Sequence, residues 1–135
     1  MKPSNELKAV ILASYKAFEN KDIAFFQKHF SQMDGVLSIG TDPQEWWEGY
    51  EKIISIFKAQ TELVEIKIVN SNPMAYSEGS VGWSADQVTF KTGDIEIPFR
   101  ITGVYHQENG AWKAVQWHAS IGVPNEEAFK QELPT

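Results

Sequence analysis

An acid and an imidazole are the residues of this chain best suited to chemistry. Asp86 and His118 each lie in a run of aromatic and branched residues. A carboxyl group raised in pKa by burial, next to an imidazole, is suited to proton transfer between a substrate and the protein. The alternative is a structural role, in which both side chains are polar groups satisfied by hydrogen bonds within a sheet. The residue types alone leave both interpretations open.

A tight turn at Asn109-Gly110 predicts where His118 points. Asn-Gly between two strand-like runs is typical of a two-residue hairpin loop, because both positions need a positive φ. In that register His118 lies opposite Ile101, and Ser120 lies opposite Phe99. One face of this hairpin is then apolar with a few polar tips, which suits the wall of a cavity.

A second turn places the acid on the same face. Thr92-Gly93 reads as the loop of another hairpin, which sets Asp86 opposite Phe99. Asp86 and His118 are then diagonal neighbours across the middle strand, and a water or a ligand group would bridge them. A single-residue bulge in either strand would move the side chains beyond it to the opposite face.

Apolar and aromatic residues around this pair are the candidates for ligand binding. Asp42-Pro43-Gln44-Glu45 has the pattern of a capped helix start, so we expect a helical turn that holds two tryptophans over the mouth of the cavity. A tyrosine on the inward stripe of the first helix would present its hydroxyl group to the same space. The predicted catalytic residues are Asp86 and His118, and the predicted ligand-binding residues are Tyr15, Trp46, Trp47, Phe99, Ile101 and Ser120.

The opposite face of the predicted sheet is too apolar to remain in water. Monomeric proteins rarely expose a contiguous apolar patch, so this face predicts a two-fold homodimer. The residues that share it in the derived registers are Val81, Trp83, Thr102, Val104, Val115 and Trp117.

The elements that position these residues are helices followed by strands. Ser4 is placed to cap a first helix that ends near Asn20, and Asp22 is placed to cap a second. A third helix is predicted over 50–61, and a final helical turn over 125–133. The predicted strands are 36–39, 64–69, 74–77, 81–90, 95–107 and 111–123. Helices segregated from a long antiparallel meander predict an α+β domain with the helices laid on one face of a curved sheet.

Composition excludes several classes of protein. The net charge is −6, which disfavours a nucleic-acid partner, because phosphate contacts need clustered Lys and Arg. The 135 residues include no cysteine, so disulfides and thiolate chemistry are excluded. No His and carboxylates have metal-ligand spacing on one element, so neither a metal nor another cofactor is expected. No run is apolar enough to span a membrane, and the charged residues within 1–20 argue against a signal peptide. We therefore expect a cytoplasmic protein.

Two segments resemble a known family. The stretch GTDPQEWWEGYEKI after the first short strand, and the closing ENGAWKAVQWHAS, are similar to the SnoaL-like branch of the nuclear transport factor 2 superfamily. The association domains of calcium/calmodulin-dependent kinases have a similar ending. The resemblance covers nearly the whole chain and implies one domain over 1–135, with a cone-shaped, cystatin-like fold around an internal pocket.

The resemblance implies a class of function and leaves its chemistry open. The superfamily includes isomerases, polyketide cyclases, dehydratases, epoxide hydrolases and non-catalytic assembly domains, so fold alone does not choose among them. We predict binding of a small apolar or amphipathic organic molecule, with cofactor-free isomerase, cyclase or dehydratase chemistry as a further option. The alternative is a non-catalytic dimerisation or assembly module. An open, polar-tipped cavity would favour the first interpretation, and a cavity filled by side chains would favour the second.

Overall fold

The computed structural model describes all residues, 1–135, and has an α+β architecture. Four helices lie along the chain: α1 (Asn5–Glu19), α2 (Ile23–His29), α3 (Tyr50–Leu63) and α4 (Asn125–Phe129). The eight strands are β1 (Lys2–Pro3), β2 (Leu37–Ile39), β3 (Trp46–Glu48), β4 (Lys67–Val69), β5 (Met74–Glu78), β6 (Val81–Thr92), β7 (Ile95–Glu108) and β8 (Ala111–Ser120). None of the helices combines the length and the apolar composition needed to cross a bilayer.

The first two helices begin where the sequence predicts. The Ser4 side chain accepts a hydrogen bond from the Leu7 backbone N–H, and Asp22 accepts one from Phe25, so each cap satisfies a donor of the first turn. Helix α1 buries the side chains that recur at helical spacing, Leu7, Ile11, Ser14 and Tyr15. The caps therefore set the entry of each helix, and the apolar stripes fix which face meets the sheet.

All eight strands form one curved, unclosed sheet, which confirms the predicted fold class. Its order is β1-β5-β6-β7-β8-β2-β3, and β4 pairs with the C-terminal part of β6, residues 89–91. Only the β2–β8 pairing is parallel. Helices α1, α2 and α3 pack on the concave side, which we call the inner face. The apolar core and a cavity lie between these helices and the inner face.

The predicted helical turn at the two tryptophans is wrong. Trp46–Glu48 forms β3 and pairs with β2. The capping contacts themselves do form: the Asp42 backbone N–H donates to Glu45 Oε1 at 2.8 Å, and Asp42 Oδ1 accepts from the Gln44 N–H at 2.8 Å. They close a turn rather than start a helix, because the following residues find strand partners and adopt the extended conformation.

The β6–β7 hairpin differs from the predicted register by two residues. Its loop is Gly93-Asp94 rather than Thr92-Gly93, so Asp86 pairs with Ile101, and Phe99 pairs with Val88. A shift of two residues leaves every side chain on its predicted face. Asp86 therefore lies on the inner face, as expected, with a different neighbour.

The β7–β8 hairpin follows the predicted register only as far as Tyr105, which pairs with Ala114. A bulge then makes Val104 pair with Gln116, and Val115 is the additional residue. Every β8 residue beyond the bulge changes face relative to the prediction. Trp117, expected on the outer face, lies on the inner one, and His118 moves to the outer row.

The packing of Trp117 explains why the bulge is favoured over the regular register. Its indole ring makes edge and tilted contacts with three phenylalanines, at centroid distances of 5.2, 5.9 and 6.0 Å for Phe30, Phe57 and Phe26. Its Nε1–H donates to the Tyr105 hydroxyl at 2.9 Å. Burial of so large a ring, with its polar atom satisfied, outweighs the local loss of strand pairing.

Candidate functional site

A cavity of about 310 Å³ opens between the helices and the inner face of the sheet. Of the 21 residues that line it, 14 are hydrophobic. This size is at the lower end of the range for small-molecule pockets, which run from about 300 to 1,000 Å³ and are mostly apolar. Exposed Leu63 and Val64, where α3 ends, belong to the lining and give the cavity an apolar edge.

Tyr15 of α1 and Asp86 of β6 form a buried polar pair beside this cavity. The Tyr15 hydroxyl donates to Asp86 Oδ2 at 3.0 Å, and the other carboxylate oxygen accepts the backbone N–H of Asn72 at 3.1 Å. Burial raises the pKa of Tyr15 well above its ordinary value, and the Asp86 charge raises it further. Tyr15 lines the cavity and Asp86 does not. The Asp86 carboxylate thus orients the Tyr15 phenol from a position outside the cavity, and each carboxylate oxygen accepts a hydrogen bond from the protein.

His118 does not meet Asp86 on one face, which corrects the predicted diagonal pair. It pairs with Thr102 on β7 and with Ile39 on β2, in a row of outer-face positions, and it is exposed. His118 is nonetheless among the lining residues, since its strand forms part of the wall. The cause is the bulge at Val115, because that additional residue reverses the facing of every later position in β8.

Of the other residues predicted to bind a ligand, some line the cavity and others do not. Trp47, Phe99 and Ile101 line the cavity with Tyr15. Trp46 does not: its side chain is 58% exposed. Ser120 does not either, because the bulge pairs it with Arg100 instead of Phe99. Adjacent residues of a strand point to opposite faces, so only one ring of the Trp46-Trp47 pair can reach the inside.

Trp117 belongs to the candidate site, although the predicted register places it on the outer face. Its ring lines the cavity, and its indole N–H is held by Tyr105, whose hydroxyl also accepts from Ser84 at 3.3 Å. Burial raises the pKa of Tyr105 to about 12, although the two hydrogen bonds lower it. Tyr105 approaches the backbone at Gly103, where a Cβ would lie 2.6 Å from the phenolic oxygen. Glycine at position 103 is therefore required for this network.

Glu45 and Gln60 are further lining residues that sequence reasoning missed. The Gln60 side-chain amide of α3 donates to Glu45 Oε2 at 2.7 Å, and the Asp42 N–H and the Thr41 hydroxyl both donate to Oε1. The capping pattern had indicated a role for Glu45 within its turn. Its contact with Gln60 depends on the later helix packing against that turn, so no local signal reports it.

One lining hydroxyl has no hydrogen-bond partner in the protein. Ser38 of β2 is 3% exposed and lies in the inner row with Trp47 and Trp117. Each of the other hydroxyl groups that line the cavity donates a hydrogen bond within the protein: Ser14, Tyr15 and Thr41. No group of three or more His, Asp and Glu side chains is positioned to bind a metal ion.

Comparisons with known proteins agree on the architecture. A family model described as a SnoaL-like domain matches residues 7–124. No curated protein matches the chain. A solved NTF2-like protein of unknown function from Pseudomonas putida superposes with a TM-score of 0.76 at 14% identity, covering 98% of this chain and 96% of its own.

Two further solved structures carry more specific descriptions. A proposed dehydratase of the NTF2-like family from Streptomyces avermitilis gives a TM-score of 0.78 at 14% identity, covering 87% of this chain and 94% of its own. A proposed calcium/calmodulin-dependent protein kinase II association domain from Xanthomonas campestris gives 0.75 at 17% identity, covering 90% and 89%. At such low identities these likenesses show the fold alone.

Proposed function

Because the chain belongs to the SnoaL-like domain family, in which fold alone does not fix function, we propose from its cavity that it binds a small, largely apolar organic molecule. The observation that carries the proposal is the open space of about 310 Å³ lined by Tyr15, Trp47, Phe99 and Ile101. An assembly module has no need of such a space and can fill it with side chains.

The arrangement of polar groups favours binding over a defined chemical step. Both oxygens of Asp86 accept hydrogen bonds from the protein, and the His118 side chain belongs to an outer-face row. Asp86 does not line the cavity, and His118 lies on the opposite face of the sheet from it, so the two groups are not placed to act together on one bound molecule. Acid/base chemistry at these two residues, of the kind suggested by the dehydratase neighbour, is the second candidate function. It requires that Asp86→Asn or His118→Ala alter ligand response or turnover while the variant remains folded.

A thermal-shift screen of a metabolite panel, with a matched pair of variants, tests the binding proposal. Ala119 pairs with Ile101 and lines the cavity, whereas Ala85 of the same sheet faces outward and pairs with Thr102. Ala119→Leu adds side-chain volume inside the cavity, and Ala85→Leu adds it outside. A compound at a hundredfold excess over its Kd adds about 2.7 kcal/mol of stability. We expect Ala119→Leu to lose the shift and Ala85→Leu to retain it. Equal shifts in both variants would place binding outside the cavity.

The outer face of the sheet supports a second part of the proposal, a homodimer. Val81 is 48% exposed, Val104 is 36% exposed, and the Trp83 and Tyr76 rings stack at 5.1 Å beside them. Thr102 and Val115 border this apolar region. Trp117, which was predicted to belong to it, lies on the inner face instead. The centre of the proposed interface therefore lies at Trp83. A protein that dimerises but binds no compound of the panel would favour the assembly module.

A further inference from the structure

Several polar side chains that line the cavity use their hydrogen-bond donors within the protein, whereas the Trp47 indole N–H, the Ser38 hydroxyl and the His118 ring have no protein partner. Ser14 donates to the Ile11 carbonyl, Tyr15 to Asp86, and Trp117 to Tyr105. Thr41 and Gln60, at the other end of the lining, both donate to Glu45. What these groups leave toward the cavity is mainly oxygen lone pairs.

The Tyr15 hydroxyl has only acceptor capacity left for a molecule in the cavity. A phenol has one O–H donor and lone pairs that accept. Since Asp86 takes the proton at 3.0 Å, the Tyr15 oxygen can serve a molecule in the cavity only as an acceptor. The raised pKa of this hydroxyl keeps that proton in place across the ordinary pH range.

Glu45 is the one carboxylate that lines the cavity, and no Lys or Arg lines it. Three donors hold it in place: the Asp42 N–H at 2.8 Å, the Gln60 amide at 2.7 Å and the Thr41 hydroxyl at 3.4 Å. A carboxylate has about four lone-pair sites, so one remains for a ligand. The unpartnered Ser38 hydroxyl, 3% exposed and part of the lining, adds a second polar group.

We infer that the molecule bound in this cavity is an organic cation, an apolar body with a protonated amine that donates to Glu45. This inference rests on the proposed function. An ammonium group is a donor without acceptor capacity, so it complements the acceptors that remain. An organic carboxylate would meet Glu45 with like charge, and no Lys or Arg of the lining would offset that repulsion, so the cavity favours a cation over an anion.

Three probes of similar shape and different charge test the inference. They are phenethylammonium, n-propylbenzene and 3-phenylpropionate, titrated against the full chain by calorimetry or ligand-observed NMR. A hydrogen bond to a charged group is worth roughly a 10- to 100-fold change in affinity. We expect phenethylammonium to bind at least roughly tenfold more tightly than either other probe, and its affinity to fall as salt is added.

A matched pair of variants assigns the preference to Glu45. Glu45→Gln keeps an acceptor for the Asp42 N–H and removes the charge, while Glu48→Gln removes the same charge from an exposed position outside the cavity. Glu45→Gln should weaken phenethylammonium roughly 10- to 100-fold, with n-propylbenzene unchanged, and Glu48→Gln should change neither probe.

The outcomes separate the inference from the proposed function. Equal affinities for phenethylammonium and n-propylbenzene, tighter binding of 3-phenylpropionate, or equal losses in the two variants would each overturn the inference and leave the binding proposal standing. If none of the three probes binds, and the metabolite panel gives no shift, the binding proposal fails and the inference fails with it.

Discussion

Tyr15→Phe removes only the hydroxyl group that donates to Asp86. The carboxylate is 8% exposed and keeps one donor, the Asn72 N–H at 3.1 Å, so one of its oxygens is left without a partner. A hydrogen bond to a charged group contributes about 1.5–3 kcal/mol to stability. At about 4 °C per kcal/mol for a chain of this length, the melting temperature should fall by roughly 6–12 °C.

Tyr76→Phe is the matched control. Tyr76 is half-buried and stacked on Trp83, and its hydroxyl has no hydrogen-bond partner. We expect this variant to change the free energy of unfolding by less than about 0.5 kcal/mol. Both variants are measured by urea unfolding and by differential scanning calorimetry.

A double-mutant cycle distinguishes the hydrogen bond from a general loss of packing. Asp86→Asn, Tyr15→Phe and the double variant should show a coupling free energy of about 0.5–3 kcal/mol, because the two groups are in direct contact. If Tyr15→Phe is as mild as Tyr76→Phe and the coupling is zero, Asp86 does not hold the phenol. The Tyr15 hydroxyl would then be able to donate a hydrogen bond to a molecule in the cavity as well as accept one.

Three further predictions follow from the same geometry. The folded state raises the pKa of Tyr105 to about 12 and that of Tyr15 above its ordinary value, so the stabilisation from these two phenols is complete below about pH 10 and is lost as pH rises through their folded-state pKa values. Ultraviolet titration should show both phenols protonated until the protein unfolds. Ionisation of all four tyrosines near pH 10 in folded protein would refute this prediction. Gly110 has φ +81°, so Gly110→Val should cost about 1–3 kcal/mol, while an unchanged melting temperature would mean that the hairpin loop relaxes without strain. Trp83→Asp should convert the dimer to monomer in sedimentation at micromolar concentration, and a monomeric wild type would contradict the proposed interface.

Local patterns predicted the elements well because their causes are local. Ser4 and Asp22 cap their helices through contacts within three residues, and alternation marked the long strands. The face of Asp86 was also predictable, because moving the loop by one residue shifts the strand pairing by two residues and preserves the alternation of faces. The family resemblance, carried by two segments of the chain, predicted the cone-shaped fold that the structure shows.

The site was less predictable because its positions depend on long-range packing. A single additional residue at Val115 brought Trp117 inside and moved His118 and Ser120 away from their predicted places. No residue pattern near Val115 predicts this bulge, since the contacts that stabilise it come from Phe26 of α2, Phe57 of α3 and the Tyr105 hydroxyl. Glu45 was missed for the same reason, because its cavity role requires Gln60 of a later helix.

Binding inside the cone is the central claim, and the indole N–H signals of the tryptophans test it most directly. Trp47 and Trp117 line the cavity, whereas Trp46 and Trp83 do not. In a ¹⁵N–¹H correlation spectrum, titration with the panel compound that gives the largest thermal shift should move the Trp47 and Trp117 indole signals and leave the Trp46 and Trp83 signals in place. Movement confined to Trp46 and Trp83, with Trp47 and Trp117 unchanged at saturation, would contradict the account.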